Sequence, residues 1–260
     1  RNNILDANIF YENFKKKKLN SNQVCFTFDD AIKSQIDVAL PVLEDYKIKS
    51  FFFVYTSLFE GKPDNLEVFR FFRTNCFESI DIFYNEFFKL VNHDLDKFYK
   101  LQKKSIDLQK KLKPFYTLND IKFRVVRDKL LKKEEYEEIM FKLVEKKKYD
   151  IEKDKKNLFF DREDLKNLES LGHVVGLHSH DHPTLIEKLS YADQNNQYTR
   201  NQSIVSKILN KPISKIKTMS HPCGSYNNET LKILTDLGID LGFKNIMEIE
   251  SEKKINQTNN

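Results

Sequence analysis

The sequence predicts an α/β fold: a parallel sheet, open or closed into a barrel, with a helical insertion set into it. Strand and helix patterns alternate over residues 23–58 and again from Asp161 onward, which is the rhythm of βαβ units. Between these stretches, over 65–156, glycine is absent, Lys, Glu, Phe and Tyr dominate, and apolar residues recur at i, i+3, i+4 spacing. Polar clusters fall where three of the expected strands end, and parallel α/β sheets carry their chemistry at the C-terminal ends of their strands.

"QVCFTF", at 23–28, is a short apolar and β-branched run ending in Asp29 and Asp30. It reads as a buried strand that delivers two carboxylates. "AIKSQIDVALPVLEDYKI" follows, with Ile32, Ile36, Ala39, Leu40 and Leu43 at helical spacing. "KSFFFVYTS" is apolar and aromatic on both faces, as a strand covered on both sides must be. In the insertion, Pro114 marks a break, with Thr117 or Asn119 as the N-cap of the next helix. Charge runs such as "KKEEYEEIMFKLVEKKKYD" read as solvated helix faces, and the insertion's aromatics as its own core.

"DREDLKNLESLG" opens with Asp161 as a cap and stops at Gly172. "HVVGLHS" is the next strand, followed by a polar helix from Tyr191 to Leu209, a strand "IKTMSH", a loop "PCGSYN", a helix "NETLKILTDLG" closed by Gly238, and a last strand "DLGF". The chain thus divides into a first barrel segment, 1–64, the insertion, 65–156, a second barrel segment, 157–247, and a tail, 248–260, expected to be solvated and partly disordered.

With 260 residues the chain can bury a substantial core. Its net charge of +5 comes from lysines interleaved with acids. An arginine and aromatic stripe is lacking, so nucleic acid is not an expected partner, and "KKKK" at Lys15–Lys18 reads as a solvated turn. No apolar stretch approaches the ~20 residues of a membrane-spanning helix, and "RNNILDANIF" has no signal-peptide core, although a segment removed before Arg1 would leave no trace. Cys25, Cys76 and Cys223 are odd in number and form no CxxC pair. A reducing compartment, the cytoplasm, is the expected location, and Cys25 reads as a small buried strand residue.

Of the six histidines, His178, His180 and His182 fall within five positions after an apolar run. Two imidazoles four positions apart can face the same way, and with one carboxylate they form a two-His, one-carboxylate set that leaves a divalent metal open positions. Asp29 and Asp30 would repel one another if both were ionised and dry, so a cation beside them is expected. Alternation at a strand end should send the two apart, one to the metal and one to act as base on its water. His180 would then point away from the metal, in a supporting or surface role. His173 and His93 read as structural.

These segments resemble the polysaccharide deacetylase, or NodB-homology, family (carbohydrate esterase family 4). "FTFDDAIKSQIDVALPVLEDYKIKSFFFV" looks like the family's opening with its TFDD motif, "GHVVGLHSHDHPTL" resembles the H-[ST]-x-x-H motif with its usual lead-in, and "MSHPCGSYN" is similar to the third motif. The resemblance covers roughly 23–58 and 158–245. It implies a distorted (β/α) barrel of the NodB-homology type in which Asp30, His178 and His182 bind a divalent metal, zinc first among the candidates. Asp29 would be the base, Ser179 would brace the histidine loop by hydrogen bonding, and the backbone N–H of Cys223 would help hold the oxyanion.

Departures from the pattern are equally specific. The third motif's arginine falls on Ser220, its aromatic on His221 and its tyrosine on Cys223, and no histidine follows His221 to match the family's late general acid. Either His221 or His180, or metal-bound water, would then protonate the leaving amine. The resemblance implies a metal-dependent N-deacetylase acting on an N-acetylated amino sugar, with cell-surface glycan biosynthesis as its expected setting. The alternatives are a catalytically lapsed fold that binds sugar or metal, and a hydrolase of a non-sugar amide. The insertion is left as a lid, a glycan-binding element or an arm for homodimerisation.

Overall fold

The computed structural model describes residues 3–246; the stretch read as a tail from Glu248 lies outside them. The elements in chain order are α1 (Ala7–Lys15), β1 (Thr27–Phe28), α2 (Leu40–Asp45), β2 (Phe51–Val54), α3 (Asn65–Asn75), α4 (Ile80–Leu90), α5 (Leu95–Leu112), α6 (Leu118–Lys129), α7 (Lys133–Lys146), α8 (Ile151–Asn157), α9 (Arg162–Ser170), β3 (Val174–Leu177), α10 (Tyr191–Leu209), β4 (Thr218–Ser220), α11 (Asn228–Asp236) and β5 (Leu241–Phe243). Contacts divide the chain into two compact units, one of 1–64 with 155–245, the other containing 65–154.

In the first unit the five strands are all parallel and lie in the order β1-β2-β3-β4-β5. Each strand pairs with its neighbour in sequence, the winding of a (β/α) barrel. Five strands close only part of the ring, so the architecture is a half-barrel, the distorted (β/α) barrel of the NodB-homology type.

The strand β2 shows why its sequence carries apolar residues at every position. Phe52 and Val54 pack with Val175, Leu177 and helix residues Leu165, Leu168, Tyr198 and Val205. Phe51 and Phe53 face the other way, onto Ala7, Phe10 and Leu241. Side chains alternate across a strand, so burying both faces demands an unbroken apolar run. Beside it Gly176 is required by space: a Cβ there would lie 2.6 Å from the Phe53 ring, from the Thr218 carbonyl oxygen and from Thr218 Oγ1.

The caps follow local chemistry. Asp161 and Thr117 each close a reciprocal capping box, at α9 and α6, and Gly172 and Gly238 take left-handed φ of 88° and 75° after α9 and α11. The second unit's core includes Ile106, Ile121 and Val125 and the aromatic group of Phe83, Tyr84, Phe87 and Phe123. Among the described residues no helix is long and apolar enough to cross a membrane.

Three features differ from the expectations. β1 is a two-residue pairing rather than a buried strand over 23–28, with Val24 and Phe26 51% and 42% exposed and Cys25 half-buried. It lies at the end of the sheet with one strand neighbour, so its outer edge is not covered by another strand. Burial still pushes the Cys25 thiol up to about 11. The helix after Asp30 begins as a π-helical stretch, Gln35–Ala39, before α2. Helix α1, which sequence periodicity did not single out, is held by Ala7 and by Phe10 packing on Phe51 and Phe243.

His173 is structural: its Nδ1 accepts from Ser50 N at 3.0 Å and its Nε2 lies 3.2 Å from Glu44, which is paired with Lys49. Burial is the largest influence on the ring and holds its pKa below the usual 6.5. The unfolded state therefore binds the proton first, so this group's contribution to stability is present above about pH 6.5 and is lost as the pH falls below it. Melting curves between pH 7.5 and 5 should show this loss, reduced in His173→Asn. Gly176→Ala should destabilise the fold by about 3 kcal/mol through overpacking, read as a lowered denaturation midpoint.

Candidate active site

Three side chains from distant positions in the sequence converge past the C-terminal ends of β1 and β3. Asp30 Oδ1 lies 3.2 Å from His178 Nε2 and 3.1 Å from His182 Nε2. One ligand atom from each residue lies within 4.8 Å of the others. Both histidines are buried, and their rings are 5.1 Å apart.

The backbone bends to achieve this. Asp30 and Ala31 have φ of 73° and 52°, and Ser179 and His182 of 64° and 54°. Four non-glycine residues in the left-handed region at one site represent strain that the surrounding contacts must hold. The left-handed turn at Asp30, rather than simple strand alternation, gives the neighbouring carboxylates different partners.

The outer nitrogen of each ring settles its tautomer. His178 Nδ1 is 2.8 Å from the Ser220 carbonyl oxygen, which can only accept, so Nδ1 carries the hydrogen. His182 Nδ1 is 2.9 Å from Asp64 Oδ2 and donates in the same way. Asp64 is held in turn by its N–H donating to the Tyr55 hydroxyl, 3.1 Å. In the neutral rings both Nε2 lone pairs therefore face Asp30, whose Oδ1 is buried without hydrogen-bond geometry to any partner. Three electron-pair donors facing one point fit a divalent cation.

Electrostatics agree with that fit. Burial raises the Asp30 pKa, but the close approach of the His178 and His182 nitrogens outweighs it and leaves the carboxyl well below its usual range. Burial lowers His182, but Asp30 and Asp64 outweigh it and raise the ring well above its usual value. The cluster demands positive charge at its centre, which a cation supplies.

Asp29 stands beside this group. Its Oδ2 accepts from Ser220 Oγ at 3.0 Å, its backbone oxygen accepts from Gln35 Nε2 at 2.6 Å, and its Oδ1 is buried without a partner. Burial is the main influence and raises its pKa, with Asp30 adding to the rise and His178, Ser220 and His182 opposing it. Ser220 is the position onto which the family's arginine falls, and its hydroxyl orients the carboxylate there.

The loop that carries the histidines is braced differently from the expectation. Ser179 is fully buried in a left-handed conformation and its hydroxyl makes no hydrogen bond. Gln197 Oε1 instead accepts from the N–H groups of His180 and Asp181, at 3.0 and 2.8 Å. Asn201 Oδ1 accepts from His178 N at 3.0 Å, while its Nδ2 donates to Val54 O and to Thr56 Oγ1. His180 turns away from the cluster, with Nδ1 2.8 Å from Thr56 Oγ1, and burial lowers its pKa.

His221 is buried, stacked on Tyr226 at 4.5 Å, with Nδ1 unpartnered. Burial first, then the charges of His178 and Lys244, push it down to about 4. At neutral pH it is a neutral ring, which weighs against the expectation that it protonates a leaving amine. Cys223 is exposed in a left-handed turn, φ 52°. Asp64, Gln35, Thr56, Gln197 and Asn201 were missed by sequence reasoning; polar residues on helices and loops carry no local pattern that marks such roles.

The chain matches the polysaccharide deacetylase family over residues 16–70 and 128–242, and it belongs to that family. Among solved structures it is similar to the deacetylase PplD of Streptococcus pyogenes in complex with acetate, at 16% identity and a TM-score of 0.51, covering 93% of this chain and 65% of that one. It is also similar to a de-N-acetylase from Aggregatibacter actinomycetemcomitans, at 13% identity and a TM-score of 0.50, covering 93% of this chain and 71% of that one. The chain therefore spans about two thirds of the length of these proteins, and the likeness establishes the fold. No curated protein matches it.

Asp64→Asn should weaken divalent-metal binding about 10- to 100-fold by releasing the His182 ring, measured by competition with a chromogenic chelator. Unchanged affinity would show that Asp64 does not tune this nitrogen.

Proposed function

We propose that the protein is a metal-dependent N-deacetylase that hydrolyses the acetamide of an N-acetylated amino sugar in the building of a cell-surface glycan. The observation that carries this reading is the convergence of Asp30 with His178 and His182, beside a carboxylate, Asp29, that Ser220 holds in place. Family membership supports the amide class of substrate.

Asp30, His178 and His182 would hold a divalent cation, with zinc favoured by the nitrogen-rich donor set. Bound there it would supply Lewis acidity toward a carbonyl oxygen and make water more acidic.

The chain's own residues supply the proton handling. Asp29 Oδ1, buried and without a partner, accepts the proton of the attacking water, while the Ser220 hydroxyl fixes the other oxygen. The backbone N–H of Cys223 donates to the oxygen on which negative charge develops. The carbon–nitrogen bond then breaks, acetate forms, and the amine takes the proton that Asp29 holds. His221 shapes the wall through its stack on Tyr226, and His180 steadies the loop through Thr56. The three free thiols, Cys25, Cys76 and Cys223, support a reducing compartment, the cytoplasm, as its location.

The test is acetate release from nucleotide-linked N-acetyl sugars and from short chitin and peptidoglycan fragments, with metal-reconstituted protein. Asp29→Asn should lower kcat by at least about 100-fold while metal still binds, and His178→Ala with His182→Ala should abolish metal binding. Protein that holds its metal yet releases no acetate from any of these substrates would favour a lapsed, binding-only fold or a non-sugar amide.

A further inference from the structure

A cavity lies at the other end of the sheet. It has a volume of about 160 Å³ and is lined in part by His173, Val174, Lys217 and Thr218, at the N-terminal ends of β3 and β4. The metal-type cluster follows the opposite, C-terminal ends. Lys211, Lys215 and Lys217 are among its lining residues, with one carboxylate residue, Glu169.

The existing contacts leave these charges only partly satisfied. Glu169 pairs with Lys211, and Lys217 donates to the Gly238 carbonyl oxygen at 2.9 Å. An ammonium has three donors, so both lysines keep hydrogen bonds to give. Lys215 is exposed at the edge. Burial lowers the Lys211 pKa, and the like charge of Lys215 lowers it further. Tyr11, also in the wall, has its hydroxyl committed to Asp240. Thr218 is only 2% exposed, and its hydroxyl has no hydrogen-bond partner.

We propose that this cavity binds a phosphate dianion, free or as a monoester. The three lysines against Glu169 leave a surplus of two positive charges among the lining residues, which matches the charge of about −1.5 to −2 that a phosphate monoester carries at pH 7. Lysine is a point-charge partner for phosphate. Binding here lies at the end of the sheet opposite His178 and His182.

Metal-loaded protein is titrated with inorganic phosphate and, separately, with glycerol 3-phosphate, each against sodium chloride at matched ionic strength. Calorimetry gives Kd, and thermal unfolding gives the midpoint. Phosphate at ten times its Kd should raise the midpoint by about 3 °C. Lys215→Gln with Lys217→Gln should weaken binding about 10-fold with acetate release unchanged. Binding of both phosphates identifies a monoester-accepting site, and binding of inorganic phosphate alone identifies a site for the free anion. The proposal is overturned if chloride gives the same midpoint shift, if the lysine double variant binds phosphate as tightly as the parent, or if binding is lost in Asp30→Asn but kept in the double variant.

Discussion

A buried carboxylate faced by two imidazole nitrogens organises this protein. Taking Asp30 out of water is costly unless positive charge or hydrogen bonds compensate, and the chain arranges both histidines to meet that need. Each ring is fixed by its outer nitrogen, His178 through the Ser220 carbonyl oxygen and His182 through Asp64. The inner nitrogens are thereby aimed at Asp30, so a cation that displaces the proton there meets donor atoms already in position.

The price of that arrangement is backbone strain, and the rest of the unit absorbs it. Left-handed residues at Asp30, Ala31, Ser179 and His182 would relax in an unsupported loop. Two amides on α10 prevent this. Gln197 ties down the turn between the histidines, and Asn201 links His178 to β2 and Thr56. Because α10 is itself anchored by Tyr198 and Val205 in the main core, packing stability is transmitted directly to the site.

Substitution at one family position shows how the arrangement adapts. Where the pattern has an arginine this chain has Ser220, whose hydroxyl reaches Asp29 and whose carbonyl oxygen holds His178. One residue thus positions both the carboxylate and a cluster histidine. The neutral hydroxyl offsets burial less than a guanidinium would, which is consistent with the raised pKa of Asp29.

Local chemistry determined a good deal by sequence alone. The unbroken "FFFV" run, the cap at Asp161, the stop at Gly172 and the helix Tyr191–Leu209 were legible because periodicity, capping and turn preference act within a few residues. The Asp-Asp and histidine spacings were legible for the same reason. Tertiary structure alone decided that Asp64 reaches His182 across 118 positions, that Ser220 reaches Asp29 across 191, and that Gln197 and Asn201 brace a loop for which Ser179 was the expected brace. It also decided that β1 is short and half-exposed, since edge position depends on the strand order of the assembled sheet. Such contacts have no sequence period: they exist only once the folded sheet brings distant side chains together, and any polar residue of suitable length could have made them.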